Sequence, residues 1–272
     1  MTHMHLPPAQ PGAARRTEAP LIQTPPMQPD SLLSVRQDLL SVVVPVRNEA
    51  ENILPLVQEI EAALDGLPHE IVYVDDGSTD ATPQRLAEAA AAFGVRVMRH
   101  RTSCGQSAAV ATGIRAAQGS WIATLDGDGQ NDPADIPALL VEARMQGGMV
   151  LVAGHRVRRR DSRMKRLSSR IANRVRARLL GDATPDTGCG LKIFSRDLFL
   201  KLPQFDHMHR FLPALVLRAG GHTVSVPVGH RPRIRGRSNY GTLDRLGVGI
   251  VDLFGVWWLQ RRGHIPQIEG DV

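Results

Sequence analysis

Leu39 to Val46 reads LLSVVVPV, an unbroken apolar and largely β-branched run. A strand with one wet face alternates apolar and polar residues. A run without alternation belongs to a strand covered on both faces. Such a strand requires helices on two sides of a sheet, and the chain supplies them in alternation. A helical pattern runs from Glu51 to Leu64, a short strand from Ile71 to Val74, and an alanine-rich helix from Thr82 to Phe93. Val95 to Arg99 reads as a strand and Gly105 to Ala117 as a helix. The segment WIATLDGDGQ opens as another buried strand, Asp135 to Gln146 is helical, and Gly148 to Ala153 is a strand. The alternation predicts an α/β fold, a mostly parallel sheet flanked by helices. Sheets of this kind bind ligands beyond the carboxyl ends of their strands.

Acids stand at those ends. Asp75-Asp76-Gly77-Ser78-Thr79-Asp80 closes one strand and Asp126-Gly127-Asp128-Gly129-Gln130 another. In Asp126-x-Asp128 both carboxylates can face one side of an extended segment. Two hard oxygen ligands suit Mg²⁺ or Mn²⁺ held together with substrate phosphates, and Gln130 can add a carbonyl oxygen. An isolated Asp-Gly pair is a common turn. Two acidic clusters at two ends of one sheet are different, because the carboxylates repel unless a cation joins them. An EF-hand is excluded, since the twelfth position counted from Asp126 is Pro137.

Composition narrows the classes further. With 42% hydrophobic and 22% charged residues in 272, the chain has the balance of a folded protein. Two cysteines, Cys104 and Cys189, make no disulfide framework and no zinc motif, so a reducing compartment is expected and Cys189 reads as a buried structural thiol. No apolar run reaches the roughly 18 residues that span a bilayer. The longest, Leu246 to Leu259, carries Asp252. The first residues lack the apolar core of a secretory signal. Residues 1–38 are rich in Pro, Gln, Ala and Thr without periodicity and are expected to form a disordered tail. The net charge of +6 is concentrated: Arg156 to Arg178 holds eleven Lys/Arg and one acid, leaving the rest at −4. A mildly acidic body with one basic segment implies a local anionic partner.

Five segments in order resemble the family 2 glycosyltransferases with the GT-A (Rossmann-like) fold, and within them the dolichol- or polyprenyl-phosphate sugar synthases. They are Pro45-Val46-Arg47-Asn48-Glu49, Val74 to Thr82, Leu125 to Pro133, Asp186-Thr187-Gly188-Cys189-Gly190, and Pro232 to Tyr240; Gly154-His155-Arg156 and His209-Arg210-Phe211 fit the same pattern. Arg47 stands where many relatives carry Tyr or Phe. The resemblance implies a GT-A domain over 39–240, with 241–272 a C-terminal membrane-peripheral or oligomerisation helix and tail.

It also implies roles. Pro45, Arg47, Glu49, Asp75, Asp76 and Asp126 would contact the nucleotide-sugar, a UDP- or GDP-linked donor. Asp128 and Gln130 would hold Mg²⁺ or Mn²⁺ on its diphosphate. Asp126, Asp128, Arg210 and Arg233 would serve an inverting transfer, and Arg156, Arg210, Arg233 and Arg235 would bind the phosphate of the acceptor, an undecaprenyl or dolichyl phosphate. Guanidinium forks suit phosphate oxygens. A phosphate monoester has a second pKa near about 6 and needs positioning rather than deprotonation. A hydroxyl of a saccharide or glycolipid, the alternative acceptor, needs a base. Asp186 fits either role, as that base or as the partner of an arginine.

Two segments point to a surface. Met164, Leu167, Ile171, Val175 and Leu179 recur at helical spacing, surrounded by Lys165, Arg166, Arg170, Arg174, Arg176 and Arg178. This is a cationic amphipathic helix, suited either to an anionic bilayer or to packing on the domain with a solvated basic face. Leu243 to Leu259 ends in two tryptophans followed by Arg261-Arg262, which suits a membrane interface or a homo-oligomer contact. The expected location is therefore cytoplasmic, peripheral to the inner face of the plasma membrane. A nucleic-acid-binding module is disfavoured. No aromatic residue interleaves the basic stretch, as stacking on bases would require, and the acidic strand ends would be unexplained. A non-catalytic nucleotide-sugar sensor is the remaining reading.

Overall fold

A computed structural model describes residues 39–157, 174–232 and 242–262. The predicted tail over 1–38, Arg233, Arg235 and the first part of the basic helix lie outside the described residues. Seven strands form one sheet in the order β3-β2-β1-β4-β6-β5-β7. They are β1 (Leu40–Val46), β2 (His69–Asp75), β3 (Arg96–Arg99), β4 (Trp121–Thr124), β5 (Val150–Arg156), β6 (Lys192–Ser195) and β7 (His222–Val228). The helices are α1 (Ile53–Ala63), α2 (Thr82–Phe93), α3 (Gln106–Ala116), α4 (Ile136–Gln146), α5 (Arg196–Lys201), α6 (Leu212–Arg218) and α7 (Thr242–Arg261), with residues 174–180 also helical.

The unbroken apolar run becomes β1, which lies between β2 and β4 and is parallel to both. Leu40, Val42, Val44 and Val46 pack on one face against α1, α2 and α4. Val43 points the other way, towards Val110 and Ile114 of α3. Each such fully buried aliphatic side chain contributes about 1.5–3 kcal/mol. Gly113 lets α3 approach closely, because a Cβ there would stand 2.5 Å from Val43 Cγ1. β6 departs from the parallel pattern. It runs antiparallel to both neighbours, pairing Lys192 with Thr124 on one side and with Ala153 on the other. Its first residue therefore sits at the carboxyl end of β4 and beside the middle of β5. The β4 strand stops at Thr124, short of the acids, which occupy the following turn.

In the described part of the basic helix, Val175 of the apolar stripe is 53% exposed, Leu179 packs against the core cluster, and Arg176 and Leu180 are buried. The Arg176 guanidinium has partners that the helical spacing does not show. It reaches Thr187 Oγ1, donates to Thr184 O at 2.6 Å and pairs with Asp182 at 3.3 Å. A charge so surrounded can be buried.

Helix α7 packs Val256 inward, with Leu253, Trp257 and Leu259 against the same cluster. Gln260 Nε2 donates to Leu180 O and Ala214 O, joining α7 to the basic helix and α6. No described helix is long and apolar enough to cross a membrane.

Candidate active site

Two acidic turns flank the carboxyl end of β1. The register Val46↔Asp75 sets the first beside it, and Asp76 N donates to Val46 O at 2.9 Å. On the other side Leu125 N donates to Val43 O, and a Cβ on Gly127 would collide with Val46 Cγ1. Asp76 and Asp128 thus stand on opposite flanks of one strand end.

A cleft of about 440 Å³ opens at the β4 side. Among its walls are Pro45, Asp126, Gln130, Arg156 and Arg210, five residues the sequence singled out, together with Gln106, Lys192 and His209. Burial and the charge of Asp128 push the Asp126 carboxyl above the usual carboxylate range, against the pull of Lys192 and Arg156. Gln106 Nε2 donates to Asp126 Oδ1 at 2.9 Å. Asp128 Oδ1 accepts from Gln130 N at 3.1 Å, which shapes the turn.

The cationic side of the cleft rests on Lys192, which is buried, and Arg156, which is largely so. Arg156 ends β5 and meets Asp186 in a fork, Nε to Oδ2 at 2.7 Å and Nη2 to Oδ1 at 2.8 Å, with its backbone N donating to the same carboxylate. Burial alone would lower the Arg156 pKa, but Asp186 raises it above the ordinary value. Of the two roles open to Asp186, the geometry places it on the arginine. Lys192 is buried, with Nζ on Cys189 O, and burial draws its pKa down despite Asp126 and Asp186 nearby. Cys189 is buried, as expected, and burial pushes its thiol up.

The β2 side is a closed network. Asp76 accepts from Ser103 Oγ at 2.7 Å, Cys104 N at 2.7 Å and Gly105 N at 2.9 Å, and contacts His100 Nδ1 at 2.7 Å. Burial pushes its carboxyl up; these bonds outweigh it and hold it below the ordinary value. Gly77 permits the turn twice over. Its φ is +67°, and a Cβ would come within 2.8 Å of Ser103 N. Asp75 is buried, accepting from Ser78 N and paired with Arg99 at 3.1 Å. Asn48 and Glu49 latch the first motif to this turn: Asn48 N donates to Ser78 Oγ, and Glu49 N to Thr82 Oγ1. Glu49 borders a separate hollow of about 620 Å³ with Asp80 and Arg85, and Arg47 is exposed.

Sequence reasoning left out Gln106, Lys192, His100 and the Ser107–His209 contact. Only Lys192 carried a signal, standing two residues beyond the Gly188-Cys189-Gly190 motif. The fit to a divalent cation is favourable. Asp126, Asp128 and Gln130 offer hard oxygens on one turn, and the Asp126 carboxyl is raised by burial first and by the charge of Asp128 second.

Residues 41–202 match the family model for Glycosyl transferase family 2. The chain is 37% identical over 229 residues to dodecaprenyl-phosphate galacturonate synthase of Rhizobium johnstonii, covering 82% of this chain and 67% of that protein. It is 37% identical over 209 residues to the undecaprenyl-phosphate 4-deoxy-4-formamido-L-arabinose transferase of Pseudomonas fluorescens, covering 75% and 61%. The chain thus spans about two thirds or less of the length of these relatives. The fold is similar to glucosyl-3-phosphoglycerate synthase from Mycobacterium tuberculosis, solved with Mn²⁺, UDP-glucose and glycerol 3-phosphate. The TM-score is 0.59 at 21% identity, over 88% of this chain and 86% of that one, a likeness of fold alone. A second structure of that enzyme, with Mg²⁺ and UDP, gives a TM-score of 0.61. With five ordered motifs, the GT-A architecture and a family match across β1 to β6 and both acidic turns, the chain belongs to glycosyl transferase family 2.

Proposed function

We propose that the protein transfers a sugar, with inversion, from a UDP- or GDP-linked donor to a polyprenyl phosphate at the cytoplasmic membrane face. The observation that carries this reading is the gathering of Arg156, Lys192 and Arg210 in one cleft with Asp126 and Gln130. Such a cleft suits two phosphates, the donor's diphosphate and the acceptor's monophosphate. It suits a hydroxyl acceptor poorly, because Asp186, the carboxylate that could serve as base, is held by Arg156 in a fork. The names of the relatives, both acting on polyprenyl phosphates, support the same acceptor class.

Asp126, Asp128 and Gln130 would hold Mg²⁺ or Mn²⁺. When bound, the ion would neutralise charge developing on the departing diphosphate. The chain's own residues do the rest. Pro45 and Gln106 wall the donor side, and Gln106 fixes the Asp126 carboxylate. Arg156, oriented by Asp186, and Arg210 hold the acceptor phosphate, already ionised, near the anomeric carbon. Arg233 and Arg235, outside the described residues, complete that set in this reading.

Helix α7 supports the membrane face. Ile250, Val251, Phe254 and Trp258 are exposed along one arc, which ends at exposed Arg261 and Arg262. Asp252, the acid of that stretch, lies off this arc and pairs with His207 at 3.0 Å. Exposed Arg174 and Arg178 lie on the helical segment that Gln260 ties to α7. An apolar arc rimmed by arginines fits an anionic bilayer surface better than a second copy, whose arginines would repel.

The test incubates the purified protein with UDP- and GDP-sugars, Mg²⁺ or Mn²⁺ and a short polyprenyl phosphate, followed by mass spectrometry of the lipid. A glycosylated lipid phosphate is expected. Transfer only to a saccharide or lipid hydroxyl would overturn the acceptor assignment.

A further inference from the structure

The first turn of α3 makes a contact that the transfer reading does not use. Ser107 is buried, and its Oγ accepts from His209 N at 3.2 Å while lying 2.7 Å from His209 Nδ1. A hydroxyl has one proton to give. Among the described residues Nδ1 is the one acceptor within its reach, so Ser107 donates and Nδ1 is the unprotonated nitrogen. The ring proton is then on Nε2. That nitrogen has no hydrogen-bond partner among the described residues, and the ring lines the cleft beside Lys192 and Arg210.

Burial, with Arg210, Lys192 and His207 nearby, holds the imidazole pKa down to about 3. The ring is therefore a neutral N–H donor at physiological pH, not an acid or a cation. A fixed neutral donor among cations, in a cleft shaped for phosphates, is matched to an anionic oxygen.

We propose that His209, oriented by Ser107, donates a hydrogen bond from Nε2 to a phosphate oxygen of a substrate bound in the cleft. His209 is then a binding residue and Ser107 a positioning residue. This inference rests on the reading of the cleft as a phosphate site. Two phosphates could supply the oxygen, the donor's diphosphate or the acceptor's monophosphate.

The experiment compares His209→Ala with His209→Gln in the full chain, since a glutamine amide carries an N–H close to the place of Nε2. The alanine variant should lose about 10- to 100-fold in kcat/KM, as expected for a hydrogen bond to a charged group. Glutamine should restore most of it. Calorimetry with uridine and guanosine diphosphates, in the absence of acceptor, separates the sources. Weakened binding identifies the donor's diphosphate, whereas a raised KM for polyprenyl phosphate with unchanged nucleotide affinity identifies the acceptor's. Nitrogen-15 NMR should show the Nε2–H tautomer throughout pH 5–8, and a mixture of tautomers in Ser107→Ala. The proposal is overturned by an alanine variant within twofold of the wild type, by glutamine performing no better than alanine, or by an imidazole that titrates between pH 5 and 8. Should the wild type make no product from any donor, the transfer reading fails, while nucleotide affinity and the tautomer still decide the role of His209.

Discussion

A Cβ on Gly190 would fall inside the carboxylate of Asp126. The two residues are this close because Thr124 Oγ1 donates to Gly190 O at 2.7 Å, drawing the segment before β6 onto the end of β4. Glycine is required here for space. Gly190→Ala should displace Asp126 and lower kcat by about 100-fold, the cost of misplacing a reacting group by about 1 Å. Overpacking should remove only about 1–3 kcal/mol of stability. Steady-state kinetics beside a thermal melt checks both.

Asp128 accepts from Gln130 N within its own turn and is not a member of the apolar core. Asp128→Ala should abolish transfer and its dependence on added Mg²⁺ or Mn²⁺, while circular dichroism and the melting temperature stay near wild type. Turnover that survives both the substitution and chelation would remove the cation from the mechanism.

In the Arg156–Asp186 fork the carboxylate is buried and the guanidinium is only 12% exposed. Removing one partner of such a pair leaves a charge without compensation and costs about 3–5 kcal/mol. Asp186→Ala should lower stability by that order in urea denaturation and raise the acceptor KM, because Arg156 loses its orientation. Donor affinity should change far less.

Asp76 gives a pH signature. Its folded-state pKa lies below the unfolded value, so its contribution to stability is complete above the ordinary carboxylate value of about 4 and is lost as pH falls through the lowered one. Urea midpoints measured between pH 2 and 6 should fall on the acid side. In Asp76→Asn the contribution of this group to that slope should vanish. At neutral pH the variant should be less stable, since an amide cannot accept all the bonds that Ser103, Cys104 and Gly105 direct at the carboxylate.

For α7 the measure is vesicle sedimentation. Phe254→Ser together with Trp258→Ser should reduce binding to vesicles containing anionic phospholipid by about tenfold or more, given the apolar area withdrawn. Both side chains are more than half exposed, so the fold should be unaffected. Zwitterionic vesicles should bind the wild type weakly. Equal binding to both lipid types would set aside the part assigned to Arg261 and Arg262.

The legibility of the chain follows a physical line. Strands β1, β2, β4 and β5 announce themselves because burial on both faces demands apolar or β-branched runs, whereas β3 is a short, half-buried edge strand. β6 does not, since KIFS is four residues long and begins with a lysine whose burial only the fold explains. β7 is half exposed and too weakly patterned to stand out. The acids of the site were readable from their spacing at strand ends. The Ser107–His209 contact was not, because 102 residues separate its members and nothing local links them. The inward turn of Arg176 was hidden for the same reason, as Asp182, Thr184 and Thr187 become its partners only once the chain folds back.

Between Ser103 and Ser107 five successive residues include contacts to Asp76, to Asp126 and to His209. A single stretch of backbone therefore ties the Asp76 network at the end of β2 to the cleft that Asp126 and His209 line. In the proposed reading, contacts to the donor's base and contacts to its sugar would then be coupled. Attempts to re-engineer one preference should succeed only when this short stretch is rewritten as well.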